Sequence, residues 1–144
     1  MIHTKLLSPT GASWPGLADW KDAAKLIDHT LLTPEATRKQ VEQLCREAVA
    51  YGFYSVMVNP GYLAYALSLV RGSGVLAGTV IGFPLGATTT PAKLAEAAEA
   101  LKLGARELDM VINIGALKSG ERDRVESEIR ALSSLAWRSR ACSK

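Results

Sequence analysis

Two acidic residues lie inside short apolar runs of this sequence, and both are candidates for catalysis. Asp109 interrupts "RELDMVIN", and Asp28 interrupts "KLIDHTLL". A carboxylate inside a strand is costly unless it is paired or used, and in an enclosed site it can donate and accept protons. We therefore expect Asp109 to transfer protons; the alternative is that it pairs with backbone amides or a lysine. Asp28 is expected either to orient a partner across the pocket or to cap the turn at Thr30.

Neither a metal site nor a nucleotide motif accompanies these acids. His29 is adjacent to Asp28 but faces the other way along an extended strand, and the other histidine is His3, so the sequence predicts no metal site. The stretch "GFPLGATTTP" (82–91) has the composition of a phosphate cradle before a helix N-terminus. Ordinary helix capping by Thr90 before Pro91 explains the same residues. No Walker or dinucleotide-binding glycine spacing is present.

The amine that such a carboxylate would assist is harder to find. Schiff-base chemistry requires a lysine that is held in a desolvated or cation-flanked pocket. Lys25 precedes the first apolar run, and Lys118 lies in the loop after the fourth, where an amine is normally solvated. The other lysines, among them Lys93, are expected at the start of the chain, on helix surfaces or at its end. The sequence alone therefore offers no convincing nucleophile.

The elements that must position these residues alternate regularly. Apolar runs with strand character cover residues 25–32, 53–60, 75–86 and 106–113, and helical periodicity follows each of them. Thr33 and Pro34 are expected to begin the first of these helices, and Gly52 to end it. The third is expected to end at Gly104. Four βα units therefore fit, and the final "AWRSRACSK" predicts no fifth strand.

Such alternation predicts a parallel sheet, either in a small open doubly wound fold or in half of an eight-stranded β/α barrel. Side chains alternate along a strand, so Asp109 shares a face with Glu107 and Asn113, and Asp28 shares one with Thr30. A sheet covered by helices on both sides has no wet interior for such groups, whereas a barrel lumen does. We therefore favour the α/β barrel.

Composition limits the remaining possibilities. The 144 residues carry a net charge of +3, which is too small and too dispersed to indicate a nucleic-acid partner. No apolar stretch is long enough to indicate a membrane partner, and a cytoplasmic location is expected. Of the two cysteines, Cys45 is expected in the core. Residues 1–19 are expected to form a loosely ordered extension, 20–135 the barrel domain, and 136–144 a basic tail.

Four of these stretches resemble the successive strand motifs of the deoxyribose-phosphate aldolase family. They are "LIDHTLL", "SVMVNPGYL", "VIGFPLGATTT" and "GARELDMVINIGALKSG", in the family's order, between about residues 22 and 130. The resemblance implies a TIM-type barrel, of which this chain has about the first four units, a half barrel. It also implies a class I aldolase that cleaves 2-deoxy-D-ribose 5-phosphate, a small sugar phosphate, to D-glyceraldehyde 3-phosphate and acetaldehyde in deoxyribonucleotide catabolism. No metal or organic cofactor is implied.

The resemblance assigns roles to the two acids and exposes a gap. Asp109 matches the family's proton-transferring aspartate, and Asp28 matches an aspartate that lines the same pocket. The family's Schiff-base lysine lies on its sixth strand and has no counterpart here, so we expect a truncated chain that is inactive alone; a shifted reading frame would produce the divergent ending. The alternative is a non-catalytic half-barrel fragment or a partner-binding subunit. Strands near 26–32 and 107–113 would each lack a neighbour, which predicts self-association through open edges.

Overall fold

The computed structural model describes residues 19–139 and, for the backbone alone, residues 142 and 143. Five strands and six α-helices alternate along this part of the chain. The strands are β1 (Asp28–Leu31), β2 (Ser55–Val58), β3 (Leu76–Ile81), β4 (Glu107–Met110) and β5 (Cys142–Ser143). The helices are α1 (Trp20–Ala24), α2 (Arg38–Tyr51), α3 (Leu63–Val70), α4 (Thr90–Leu103), α5 (Ile114–Lys118) and α6 (Arg122–Arg138), with a short 3₁₀ turn at Pro60–Tyr62.

The sheet is parallel throughout, and its strands lie side by side in the order in which they occur along the chain. Crossovers between neighbouring parallel strands are almost always right-handed. When every step moves one strand in the same direction, right-handed crossovers place all the helices on one face. Among the described residues no helix covers the other face, called the bare face below, as in a barrel wall and unlike a doubly wound sheet. The predicted half barrel is therefore confirmed.

The helix-facing side of the sheet carries the hydrophobic core. Strand residues that alternate along each strand pack there against apolar stripes of the helices, and they are fully or almost fully buried. The strand contribution consists of Val56, Val58, Ala77, Ile81 and Leu108. The helix contribution includes Val41, Leu44, Ala48, Leu63, Ala66, Ala97, Ala100, Leu132 and Ala136. This continuous layer joins β1 to β4 to the helices.

One predicted helix start and one predicted capping residue are wrong, because neighbouring threonines do the capping. Helix α2 begins at Arg38 and not near Thr33, since Thr37 and Gln40 form a reciprocal capping box. Thr89 accepts from the amide of Ala92, so it caps α4 in place of Thr90. The predicted helix ends at Gly52 and Gly104 are confirmed, and both glycines have positive φ.

The prediction of no fifth strand is also wrong. Residues 142 and 143 pair in parallel with β4, at Glu107 and Leu108 respectively. The predicted open edge near 107–113 therefore has a neighbour at its first two residues. Within the described residues, β1 pairs only with β2, so the edge predicted near 26–32 is open.

The two ends of the predicted barrel domain differ slightly from the structure. Helix α1, which begins at Trp20 and is capped by Asp19, was not predicted. Helix α6 continues to Arg138, into the predicted tail. Almost all of the predicted extension, including His3, and the tail residues Arg140 and Lys144 lie outside the described residues. None of the described helices combines the length and apolar character needed to cross a bilayer.

Candidate active site

Asp109 is the third residue of β4, and its side chain is exposed on the bare face of the sheet. The preceding Leu108 is completely buried on the helix side, so alternation along the strand turns the carboxylate of Asp109 away from the helices. Asp109 is level with Val80 of β3 in the strand register. The predicted inward orientation is therefore the one observed. In a closed barrel this face is the lumen.

Asp28 begins β1 and is half-buried on the same face. It lies level with Ser55 of β2, and the Ser55 hydroxyl donates a hydrogen bond of 2.7 Å to Asp28 Oδ1. The hydroxyl of Thr30 donates to the backbone carbonyl of Asp28 at 2.8 Å. The carboxylate of Asp28 is thus oriented along the sheet by the buried Ser55. The predicted contact with Thr30 is made by the backbone carbonyl of Asp28 and not by its carboxylate.

The two carboxylates share a face but not a register level. Asp28 is level with Ser55 and, through it, with Leu76, whereas Asp109 is level with Val80, four residues further along β3. In a flat sheet this offset would be roughly 13 Å along the strands, at about 3.3 Å per residue. A closed barrel of eight strands with a shear of about 8 staggers each strand by about one residue relative to its neighbour. Over the three steps from β1 to β4 this stagger amounts to about three residues, so in a closed barrel Asp28 and Asp109 would differ in height by about one residue.

His29 points to the helix side, as predicted. Its Nε2 lies 2.7 Å from Glu47 Oε2 on α2, and its ring packs 4.9 Å from that of Phe53. A hydrogen bond from Gln43, then the one from His29, lowers the pKa of Glu47 below its usual value of 4.5. Within residues 19–139 no group of three or more histidine, cysteine or acidic side chains is arranged to hold a metal ion.

The loop between β3 and α4, the predicted phosphate cradle, is held against the loop that follows β4. Gly86 has φ +64°, and a Cβ added there would lie 2.0 Å from the carbonyl oxygen of Ile112. The amide of Gly82 donates to Glu96 Oε2 at 2.8 Å, so this amide is already used. Thr88 is exposed, and the hydroxyl of Thr89 is used in capping α4. Phosphate binding at this loop stays a prediction.

Lys93 is where the sequence analysis was most clearly wrong. Predicted on a helix surface, it has no exposed area at all. Its Nζ donates to Glu128 Oε2 and to the carbonyl oxygen of Val111, both at 2.8 Å. Glu128 in turn accepts from the hydroxyl of Thr90 at 3.1 Å and from the amide of Asn113 at 3.3 Å. The ion pair therefore joins α4, α6 and the loop after Asp109.

A signal for this pair was present in the sequence. Lys93 lies four and seven residues before Ala97 and Ala100, which places it on the apolar stripe of α4. Glu128 occupies the same kind of position on α6, between Val125 and Leu132. Opposite charges on the buried stripes of two helices that flank the same strand indicate a buried ion pair, because neither charge is tolerated there alone.

Of the remaining candidate groups, Lys25 and Cys45 are placed as predicted, whereas Lys118, expected in a loop, lies in the short helix α5. Lys25 and Lys118 are exposed, at the end of α1 and in the last turn of α5. Cys45 is in the core, 2% exposed, and burial raises the pKa of its thiol to about 11. A thiol in this environment is a packing group and not a nucleophile.

Comparisons with known proteins agree with this geometry. Residues 23–140 match the DeoC/LacD family of aldolases. The deoxyribose-phosphate aldolase of Clostridium kluyveri is 54% identical over 114 residues, which are 79% of this chain and 52% of the relative. Deoxyribose-phosphate aldolase 2 of Staphylococcus aureus is 57% identical over 111 residues, which are 77% of this chain and 50% of the relative.

A solved structure gives the same result for the fold. The deoxyribose phosphate aldolase of Aeropyrum pernix, described as having a tetrameric structure, superimposes with a TM-score of 0.80 at 38% identity, covering 89% of this chain and 53% of that one. This chain spans about half the length of the curated relatives that it matches. The family match extends from α1 to beyond α6, and on these grounds the chain belongs to the DeoC/LacD family of aldolases.

Proposed function

We propose that this chain supplies the Asp28 and Asp109 side of a deoxyribose-phosphate aldolase site. The reaction is the reversible cleavage of 2-deoxyribose 5-phosphate to glyceraldehyde 3-phosphate and acetaldehyde through a Schiff base. The observation that carries the proposal is the position of Asp109, which is exposed on the bare face of β4 within residues 23–140, the range that matches the aldolase family. The substrate implies deoxyribonucleotide catabolism in the cytoplasm.

Asp109 is proposed to move protons at the reacting carbon. Cleavage of the carbon–carbon bond leaves an enamine that must be protonated, and Schiff-base formation and hydrolysis each require a group that gives and takes a proton. Asp109 is suited to both because it projects into what would be the lumen. Asp28, held by Ser55, is proposed to line the same pocket and to orient the groups that exchange protons with Asp109.

The Schiff-base lysine is proposed to come from outside the described residues. Lys93 is fully buried on the helix side, where its ammonium group is held by Glu128. Lys118 is exposed at the end of α5. None of the lysines within residues 19–139 thus combines a desolvated amine with a place on the bare face. We therefore propose that the chain alone does not approach the rate of a full-length relative.

A second candidate function is that of a half-barrel subunit that joins a partner or another copy of itself. The observation that favours it is the open edge of β1, together with the bare face that carries Asp109. Unpaired strand edges associate readily, and pairing would also close the lumen. In this reading the assembly holds no catalytic lysine beside Asp109 and is not an aldolase.

The two candidates are separated by activity and by Schiff-base trapping. The chain is assayed alone, and then co-expressed with the second half of the Clostridium kluyveri aldolase, by coupled detection of glyceraldehyde 3-phosphate; the full-length relative is the positive control. Borohydride reduction in the presence of substrate is followed by intact-mass analysis. For an aldolase half we expect no adduct on this chain, and activity only in the co-expressed complex. A complex that assembles but shows no activity would favour the half-barrel subunit.

The contribution of Asp109 is tested in that complex. Asp109→Asn keeps the size of the side chain but removes proton transfer, which typically contributes about 10²–10⁴-fold to the rate. The matched control is Asp123→Asn, at an exposed carboxylate in the first turn of α6. Equal activity in both variants would refute the role of Asp109. An adduct on Lys118 of the isolated chain would refute the proposed origin of the nucleophile.

A further inference from the structure

The backbone segment that follows Asp109 is hydrogen-bonded to the buried ion pair of Lys93 and Glu128 in the helix layer. Strand β4 ends at Met110, and its ladder continues for one bond more, from the amide of Val111 to the carbonyl of Ile81 at 3.0 Å. The carbonyl of Val111 then accepts from Lys93 Nζ. The next anchor is the amide of Asn113, which donates to Glu128. The second and fourth residues after Asp109 are therefore both fixed by this pair.

Neighbouring residues also hold this backbone segment and the ion pair in place. Asn113 caps α5 by accepting from the amide of Ala116 at 3.0 Å, so the pair also sets where α5 begins. Gly82 leaves room for the stem of Lys93, because a Cβ there would lie 2.8 Å from Lys93 Cε. Gly86 closes the β3–α4 loop onto the carbonyl of Ile112. The loops after β3 and β4 are thus packed around the ion pair as one unit.

Stability is a weak explanation for this arrangement. Replacing a buried ion pair by apolar side chains of similar volume is often neutral or stabilising, because the cost of removing two charges from water offsets their attraction. The pair does supply directional hydrogen bonds, which an apolar pair cannot. Two of its bonds go to the backbone just beyond Asp109, and none to a surface group.

We propose that Lys93 and Glu128 are positioning residues that fix the β4–α5 junction and, through it, the orientation of the Asp109 carboxylate. The inference rests on the proposed function for its catalytic meaning. Both residues are buried in the helix layer and not on the bare face. Their effect passes through the backbone from Val111 to Asn113, which determines the end of β4 on which Asp109 is carried.

The test compares two double variants of the chain as it exists. Lys93→Met with Glu128→Met removes every polar contact of the pair, whereas Lys93→Met with Glu128→Gln keeps an acceptor for Thr90 and Asn113. In the Met/Met variant we expect amide exchange at Asn113 to rise roughly tenfold or more, as for loss of a hydrogen bond to a charged acceptor. The ¹³Cγ resonance of Asp109 should shift as well. In the Met/Gln variant exchange at Asn113 should stay close to that of the unmodified chain, and Asp109 should shift less.

Asp28 is the internal control, since it lies on β1 and its ¹³Cγ resonance should not move in either variant. An unchanged Asp109 resonance in the folded Met/Met variant would overturn the proposal, whether or not amide exchange at Asn113 became faster. Faster exchange at Asn113 alone would show that the pair holds the backbone of that residue without orienting Asp109. If the Met/Met variant does not fold, the Met/Gln variant decides, because it lacks the bond to Val111. In the Met/Gln variant the ¹³Cγ resonance of Asp109 must shift while that of Asp28 does not.

A kinetic comparison in the co-expressed complex separates this inference from the proposed function. The Met/Met variant should lower kcat with little change in KM, and the Met/Gln variant should recover part of the loss. Absence of activity in the unmodified complex would count against the proposed function, while the resonance test would still decide the positioning role. Equal kcat in both variants and the unmodified complex would overturn the positioning role.

Discussion

Gly86 offers a sharp test of how closely the two loops beside Asp109 approach each other. Its backbone has φ +64°, a region that costs an L-residue about 1–2 kcal/mol. A Cβ there would also lie 2.0 Å from the carbonyl oxygen of Ile112 and 2.9 Å from its carbonyl carbon. Both obstacles are backbone atoms held by the sheet and the ion pair, so neither can move aside at low cost.

Gly52 provides a matched control for the Gly86→Ala variant. Its φ is +67°, almost the same, but a Cβ there would meet nothing within 4 Å. Gly52→Ala therefore carries the conformational cost of about 1–2 kcal/mol alone, and the change in unfolded-chain entropy is common to both variants. Gly86→Ala adds an overpacking cost of about 1–3 kcal/mol. The difference between the variants isolates the close approach of the loops.

Urea unfolding followed by circular dichroism measures the two free energies of unfolding. We expect Gly86→Ala to be less stable than Gly52→Ala by about 1–3 kcal/mol. Amide exchange should locate the additional loss in the segment around Ile112 and not at the end of α2. Equal stability of the two variants, within about 0.5 kcal/mol, would show that the loops do not approach as described.

Three further predictions concern buried or paired groups. Lys93→Met alone leaves the Glu128 carboxylate buried without its partner, so it should cost about 3–5 kcal/mol in urea unfolding, most of which the Met/Met double variant should restore; an equally unstable double variant would contradict this. Glu47 has a lowered pKa in the folded chain, so its contribution to stability is present above its usual value of 4.5 and is lost as the pH falls through the folded value. Glu47→Gln should therefore flatten the decline of stability with acid below that pH, and an unaltered pH profile would count against the contacts with Gln43 and His29. The Cys45 thiol, with its pKa raised to about 11, should resist iodoacetamide at pH 8 in the folded chain, whereas its peptide should be labelled in urea, as mass spectrometry would report.

The repeating strands and helices could be predicted from the sequence because burial imposes two clear periods. The same alternation placed Asp28 and Asp109 on the lumen-facing side, since a step of one residue moves a side chain to the other face. The helix starts were less predictable. Pro34 suggested an early start for α2, but Thr37 with Gln40 offers two mutual hydrogen bonds and determines the first turn.

The parts that could not be predicted depend on contacts distant in the sequence. Lys93 and Glu128 are separated by 35 residues, so the helical periodicity that places each charge on a buried stripe does not say which opposite charge it meets. Strand β5 has two residues and little β propensity, and it is defined by its ladder with β4. Tertiary pairing overrides local preference in such short segments.

The strict agreement between chain order and strand order has a consequence for biosynthesis. Each strand pairs with the one made just before it, so the sheet can grow from β1 outward as the polypeptide leaves the ribosome. Each of these pairings joins residues only 21 to 35 positions apart, so each closes a short loop compared with the two edges of a closed barrel. In a closed barrel the edge of β1 is the exception, because the strand that covers it there is the last one made. In a closed barrel that final seam would join the segments furthest apart in time of synthesis, and it would be the slowest contact to form.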